Sequence, residues 1–225
     1  MENITQPVQK ESKLSKLIYA LIYIVLIIGI CITSGLLFHK YYFTTFYIDG
    51  QSMYPTLNRS GTETADAPRK DFGIVDTHPN TINAIKRFDI ITTYYKDDYD
   101  QYGELLSGAN HEQKIKRVIG LPGDTIQTLA RSIYIDGTEL EIPYIPGSGT
   151  LSLSGPTVLA EDQYFVIGDN WGRSLDSTKT SVGPIQKSMI VGVLIAIEGT
   201  CILHKEAIDI YADDFSYSWP TFYKQ

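Results

Sequence analysis

The chain has 225 residues, 43% hydrophobic and 20% charged, enough apolar material for a packed core and too much for a disordered chain. Its net charge of −7 argues against nucleic acid as a partner, because such proteins present a basic face. Two cysteines and four scattered histidines exclude a disulfide framework and a cysteine-rich zinc site, and no metal or other cofactor is expected.

From Leu17 to Phe38 there are 22 residues without a charge. As a helix such a run spans about 33 Å, enough to cross a hydrocarbon core of about 30 Å. It is longer than the apolar core of a cleaved signal peptide and leads into bulky Leu36, Leu37 and Phe38 rather than a small-residue exit. This predicts a retained anchor, with the lipid bilayer as a partner. Lys10, Lys13 and Lys16 precede the run and only Lys40 follows it closely. That bias predicts a cytoplasmic tail over residues 1–16, a transmembrane anchor over 17–38 and an outer domain over 39–225. Residues 1–40 hold four Lys and two Glu, a charge of +2, and the remainder holds 15 basic and 24 acidic side chains, −9. The second value is ordinary for a solvated surface. The aromatic stretch Tyr41–Tyr47 is expected to lie at the membrane interface.

Beyond the anchor the pattern is mainly β. Ile90–Tyr95, Lys114–Ile119, Tyr164–Ile167 and Met189–Ile195 read as strands. Ile133–Ile135 and Thr138–Leu140 flank Asp136-Gly137, the signal of a tight hairpin. Long loops are expected near 58–85 and 141–157. No amphipathic helix of ten or more residues is evident. An all-β, barrel-like outer domain follows. The aromatic carboxyl tail from Phe215 reads as an interfacial contact or a final packed strand.

Four stretches carry the chemistry. They are Asp49-Gly50-Gln51-Ser52-Met53-Tyr54-Pro55-Thr56-Leu57, Lys86-Arg87-Phe88-Asp89-Ile90, Lys116-Arg117-Val118-Ile119-Gly120-Leu121-Pro122-Gly123-Asp124 and Gly168-Asp169-Asn170-Trp171-Gly172-Arg173-Ser174-Leu175-Asp176-Ser177. None of the histidines, His39, His78, His111 and His204, falls in them. A serine nucleophile would therefore need another base. A lysine serves if burial makes it neutral at working pH. Lys116, beside Ile115, Val118 and Ile119, has that setting.

In this order behind an anchor, the four stretches resemble those of the type I signal peptidases, membrane-anchored Ser/Lys endopeptidases. The resemblance implies a mainly β signal peptidase catalytic domain outside the membrane, cutting secretory preproteins after small residues. It implies Ser52 as nucleophile and Lys116 as general base, acting through an acyl-enzyme. It implies the Ser52 N–H as oxyanion donor, Ser174 as a hydrogen-bond partner of the base and Asp176 as a nearby structural carboxylate. Met53 and Tyr54 are expected at the rim facing substrate and membrane.

There are departures. Gly50 stands where some relatives carry a serine that donates to the oxyanion. Phe88 stands where glycine is common. Trp171 and Thr178 replace two arginines, the second of which usually pairs with the carboxylate at Asp176. Lys179 or Arg173 is expected to take over that pairing. A rival reading is a non-catalytic or substrate-dedicated factor of the same kind, serving pilin or surface-protein assembly. Retention of both Ser52 and Lys116 counts against a pure scaffold. Oligomeric state is not readable from the sequence.

Overall fold

The computed structural model describes residues 13–58, 69–100, 105, 113–152, 154–205 and 210–222. The chain divides into two compact units, up to Tyr42 and from Phe43 onward.

The first unit is one helix, α1 (Lys13–Tyr42), with no buried residue. Among the described residues it is the one helix long and apolar enough to cross a membrane. Its hydroxyls do not disturb that character: Thr33 Oγ1 donates back to the Gly29 carbonyl at 2.8 Å, the bond by which threonine is accommodated in an apolar helix. The aromatic stretch splits here. Tyr41 and Tyr42 close α1, and Phe43–Tyr47 begins the second unit as strand β1.

The second unit contains two antiparallel sheets. The larger is built from β1, β2 (Arg69–Asp76), β3 (Ile90–Thr93), β4 (Lys114–Gly120), β9 (Gln163–Ile167), β10 (Ile185–Gln186), β11 (Ile190–Lys205) and β12 (Ile210–Phe222). Its order is β1-β2-β11-β3-β4-β9-β10, and β12 also pairs with β11. The long β11 carries β2 along one edge and, on the other, first β3 and then β12. Register shifts between Leu194 and Ala196 and between Ile197 and Gly199 bend it, as bulges do, so the sheet curls. Close backbone approach at the bend requires glycine: a Cβ on Gly199 would lie 2.1 Å from the Ser216 carbonyl.

The smaller sheet has the order β7-β6-β5-β8, from β5 (Thr125–Leu129), β6 (Ser132–Ile135), β7 (Thr138–Glu139) and β8 (Ser154–Val158). Its hairpin forms as expected, with Asp136 at φ 51° and Gly137 at φ 81°, the left-handed pair of a type I′ turn. The core falls into three clusters. One, around Val118 and Val193, lies between β3, β4 and β11. A second includes Met53, Leu57, Ile90 and Ile115. A third joins Ile119, Ile126, Phe165 and Trp171.

Two segments expected as loops carry strands. Within 58–85 lie β2 and a short helix, α2 (Pro79–Asn83); residues 59–68 of this segment fall outside the described ones. Arg69, Lys70 and Asp71 hide β2 in the sequence, because their charge reads as solvent-facing. In the fold Arg69 bonds Asp214 at 2.7 Å and Asp71 bonds the Asn58 backbone N–H at 2.6 Å, so a polar strand sits between β1 and β11. Within 141–157, β8 takes the edge of the smaller sheet, the position where a Gly-Pro pair is tolerated. The carboxyl tail is the final strand β12; Tyr223 lies outside the described residues.

Phe88 has φ 76°, the left-handed region that glycine occupies without strain. The glycine that the resemblance implies is common at this place would adopt that conformation freely. Here Phe88 gains a T-shaped contact with Tyr144, centroids 6.5 Å apart.

Candidate active site

The turn after β1 is fixed by its apolar residues. Met53 and Leu57 are 1% and 0% exposed. They bury together in the cluster with Ile48 and Ile115, and the Leu57 N–H donates to the Met53 carbonyl at 3.0 Å. With these two plugged into the core, Ser52 is left half-buried at the wall of a groove of about 380 Å³. Lys116 reaches the same groove from β4, which pairs with β3 through Lys116–Ile91. Strand alternation puts Lys114 and Lys116 on one face and Arg117 on the other.

Lys116 Nζ donates to Ser52 Oγ at 2.9 Å and to the Ile115 carbonyl at 2.8 Å. The lysine is 4% exposed. Burial pulls its pKa down from 10.5 to about 8 against the opposing pull of Asp176; Lys114 adds to the lowering and Asp169 opposes it. At that value a useful fraction is neutral near pH 7–8, and a neutral amine at hydrogen-bond distance can accept a hydroxyl proton. The rest of the groove is lined in part by Phe46, Tyr47, Tyr94, Gln113, Leu203 and Lys114.

The fourth stretch holds this turn from behind. Asn170 N–H donates to the Ser52 carbonyl at 2.9 Å and Asn170 Nδ2 to the Gln51 carbonyl at 3.0 Å. Asp169, fully buried, forms a bidentate pair with Arg117, Nε–Oδ1 2.8 Å and Nη2–Oδ2 2.6 Å. Thr56 Oγ1 donates to the same carboxylate. Arg117 also donates to the Phe88 carbonyl at 2.9 Å and lies 4.4 Å from the Tyr144 ring centroid. One buried arginine thus ties all four stretches together. Asp169, Arg117, Asn170 and Thr56 stand within the four stretches but carry no individual signal of this role in the sequence. The general signal available was an arginine inside an apolar strand, which demands a buried carboxylate somewhere.

The sequence candidates separate. Ser52 and Lys116 meet. Asp176 is 1% exposed and acts on Lys116 only through its charge. Its oxygens are occupied: Oδ2 accepts from Gly168 N–H at 3.0 Å, and Oδ1 from Thr178 N–H at 3.1 Å and Thr178 Oγ1 at 2.7 Å. The side chain of neither expected substitute bonds its carboxylate. Lys179 bonds Ser152 at 2.6 Å and Arg173 bonds Gln51 at 2.9 Å. Thr178, two residues on, satisfies Asp176 locally, which a more distant cation need not do. Ser174 is buried, and its hydroxyl has no hydrogen-bond partner among the described residues; the expected bond to Lys116 is not formed. It packs instead on Gly168, where a Cβ would lie 2.2 Å from Ser174 Oγ and 2.5 Å from the Ser52 carbonyl oxygen. Met53 is no rim residue. Its apolar side chain is in the core, where it anchors the turn. Tyr54 is half-buried and is not among the residues lining the groove; Phe46, Tyr47 and Leu203 hold that place.

Comparison with known proteins identifies the family of the chain. The family model for signal peptidase, peptidase S26, matches residues 17–197. Signal peptidase I V of Bacillus subtilis is 32% identical over 165 residues, covering 68% of this chain and 83% of that protein. Signal peptidase I S of the same organism is 27% identical over 175 residues, covering 73% and 82%. A crystal structure of a signal peptidase I from Enterococcus faecalis is 26% identical with a TM-score of 0.36, covering 49% of this chain and 96% of that one. With four-fifths of its length matched by the family model, the chain belongs to the signal peptidase family, peptidase S26.

Proposed function

We propose that Ser52 is the nucleophile and Lys116 the general base of a membrane-anchored peptidase that removes signal peptides on the outer face of the membrane. The observation that carries this reading is the 2.9 Å bond between the buried Lys116 Nζ and Ser52 Oγ. Family membership supports the coarser statement, signal-peptide removal by a serine peptidase with preprotein substrates, and the apolar α1 supports membrane anchoring. The lysines before the apolar run support an outer placement of the second unit. On this reading residues 1–16 form the inner tail, 17–38 the span and 39–225 the catalytic domain.

The chemistry follows from the groove. Neutral Lys116 accepts the Ser52 proton as Oγ attacks the scissile carbonyl. The ammonium then gives that proton to the departing amine, leaving an acyl-enzyme. Lys116 next takes a proton from water, whose oxygen attacks the ester, and returns it to Ser52. The Ser52 N–H stabilises both oxyanions. Asp176 and Asp169 keep the transient ammonium from being a bare buried charge. Ser174 and Asp176 support the site through Gly168, on which the Ser52 backbone rests.

The decisive experiment uses full-length protein in detergent or lipid and a model preprotein with an Ala-x-Ala site. The parent is expected to cleave it and Ser52→Ala to be inactive. Tight precursor binding without cleavage by either would replace this reading with the assembly factor. A second expectation concerns Gly168→Ala. The added methyl must displace the Ser52 carbonyl or Ser174, and a shift of about 1 Å in a nucleophile lowers kcat roughly 100-fold. Steady-state kinetics on the same substrate checks it.

A further inference from the structure

Gly50 offers no hydroxyl to an oxyanion, and the donor that the reading above names is the backbone N–H of Ser52. A backbone donor is only as well aimed as its peptide plane, and the plane is set by whatever holds the carbonyl on its other side. The carbonyls of Gln51 and Ser52 are held by Asn170. Those of Ile48 and Gly50 are held by a residue that none of the four stretches contains. Asn58 Nδ2 donates to the Ile48 carbonyl at 2.8 Å and the Gly50 carbonyl at 2.9 Å. Asn58 Oδ1 accepts from Asp71 N–H at 2.7 Å, and Asn58 N–H donates to Asp71 Oδ2 at 2.6 Å. Four bonds therefore join the two ends of the Ser52 turn to each other and to β2. Asn58 adopts φ 59°, a left-handed conformation that asparagine tolerates better than most residues.

Resting on the assignment of Ser52 above, we propose that Asn58 is a positioning residue for the oxyanion site, fixing with Asn170 the peptide planes of the Ser52 turn so that backbone amides alone receive the developing charge. The space at Gly50 supports this division of labour. A Cβ there would meet nothing nearer than the Ser52 nitrogen at 3.9 Å, so a hydroxyl could be accommodated beside the donor, yet this chain has none. Peptide-plane alignment is the means left to it.

The test is a double-mutant cycle on preprotein cleavage, with Asn58→Gly, Gly50→Ser and both together. Asn58→Gly keeps the left-handed backbone and deletes the three side-chain bonds. It is expected to lower kcat roughly 10- to 100-fold with KM within about twofold, somewhat less than outright loss of an oxyanion donor. Gly50→Ser, which supplies a side-chain donor, is expected to raise kcat several-fold more in the Asn58→Gly background than in the parent. Asn58→Asp, which keeps the acceptor for Asp71 N–H but replaces the two bonds donated by Nδ2 with repulsion between a carboxylate and two carbonyls, is expected to show at least the same kcat loss and serves if the glycine variant does not fold. Assays are run below the unfolding temperature of each variant. Unchanged kcat in the folded variants, or an equal gain from Gly50→Ser in both backgrounds, overturns the proposal. Residual cleavage by Ser52→Ala would instead overturn the assignment on which it rests.

Discussion

Lys116→Met is expected to abolish preprotein cleavage and, at the same time, to make the protein more stable at pH 7. The activity loss follows from removing the amine that bonds Ser52 Oγ, and members of a catalytic dyad are worth at least about 10⁴-fold in kcat. The stability gain follows from burial. The lysine has a pKa near 8 in the folded protein and 10.5 otherwise. The unfolded chain therefore binds the extra proton between about pH 8 and 10, and stability rises with pH across that window. Below pH 8 the buried ammonium is disfavoured in full, by about 3 kcal/mol for a shift of this size. Methionine has a similar shape and no charge, so it recovers part of that. Thermal unfolding at pH 7 and pH 9.5 checks the sign: the gain should shrink at the higher pH. The parent enzyme should lose kcat/KM below pH 8, about tenfold per pH unit as the neutral fraction falls. Lys114→Ala, on the same face but two residues from the base, should be mild at pH 8–9. A flat rate profile down to pH 6, or an equal loss in Lys114→Ala, would remove Lys116 as the base.

Arg117→Ala is expected to destabilise the second unit by about 3–5 kcal/mol, because it strands the Asp169 carboxylate in a fully buried site. For a domain of this size that lowers the unfolding temperature by roughly 10 °C. Asp169→Asn should cost less, since its amide can still bond Thr56 and part of the guanidinium. The double variant Arg117→Leu with Asp169→Leu should recover much of the stability, as apolar replacements of buried pairs often do, but not activity, because Thr56 and Phe88 lose the partner that aligns the four stretches. Calorimetry gives the first comparison and cleavage of the Ala-x-Ala preprotein the second. Full activity in the double variant would reduce the network to a packing feature.

The anchor, the strand that carries Lys116, the strand that leads into Asp169, and the 136–137 hairpin were legible because each is specified locally. An uncharged run of 22 residues, a β-branched alternation and an Asp-Gly pair need no knowledge of distant neighbours. Ser52 and Lys116, which the fold brings to 2.9 Å of each other, stood out as candidates through the order of four short stretches. The strand β2 was not legible, because Arg69 and Asp71 are acceptable inside a sheet only when Asp214, 145 residues away, and Asn58 bond them. Met53 was misplaced for a related reason. Its neighbours in the chain are polar and half-buried, and only the packing of Ile48, Leu57 and Ile115 around it makes it core.

An apolar segment long enough to cross a membrane, a β domain, and a serine and a lysine in a recognisable order can all be read from the order of residues alone. These depend on local period and composition, which each segment carries alone. It took the folded chain to show that Lys116 is buried and its pKa pulled down, that Thr178 rather than a cation satisfies Asp176, and that Asn58 closes the turn of Ser52. Burial and hydrogen-bond pairing are properties of groups brought together from separate strands, and no residue carries them before the chain has folded.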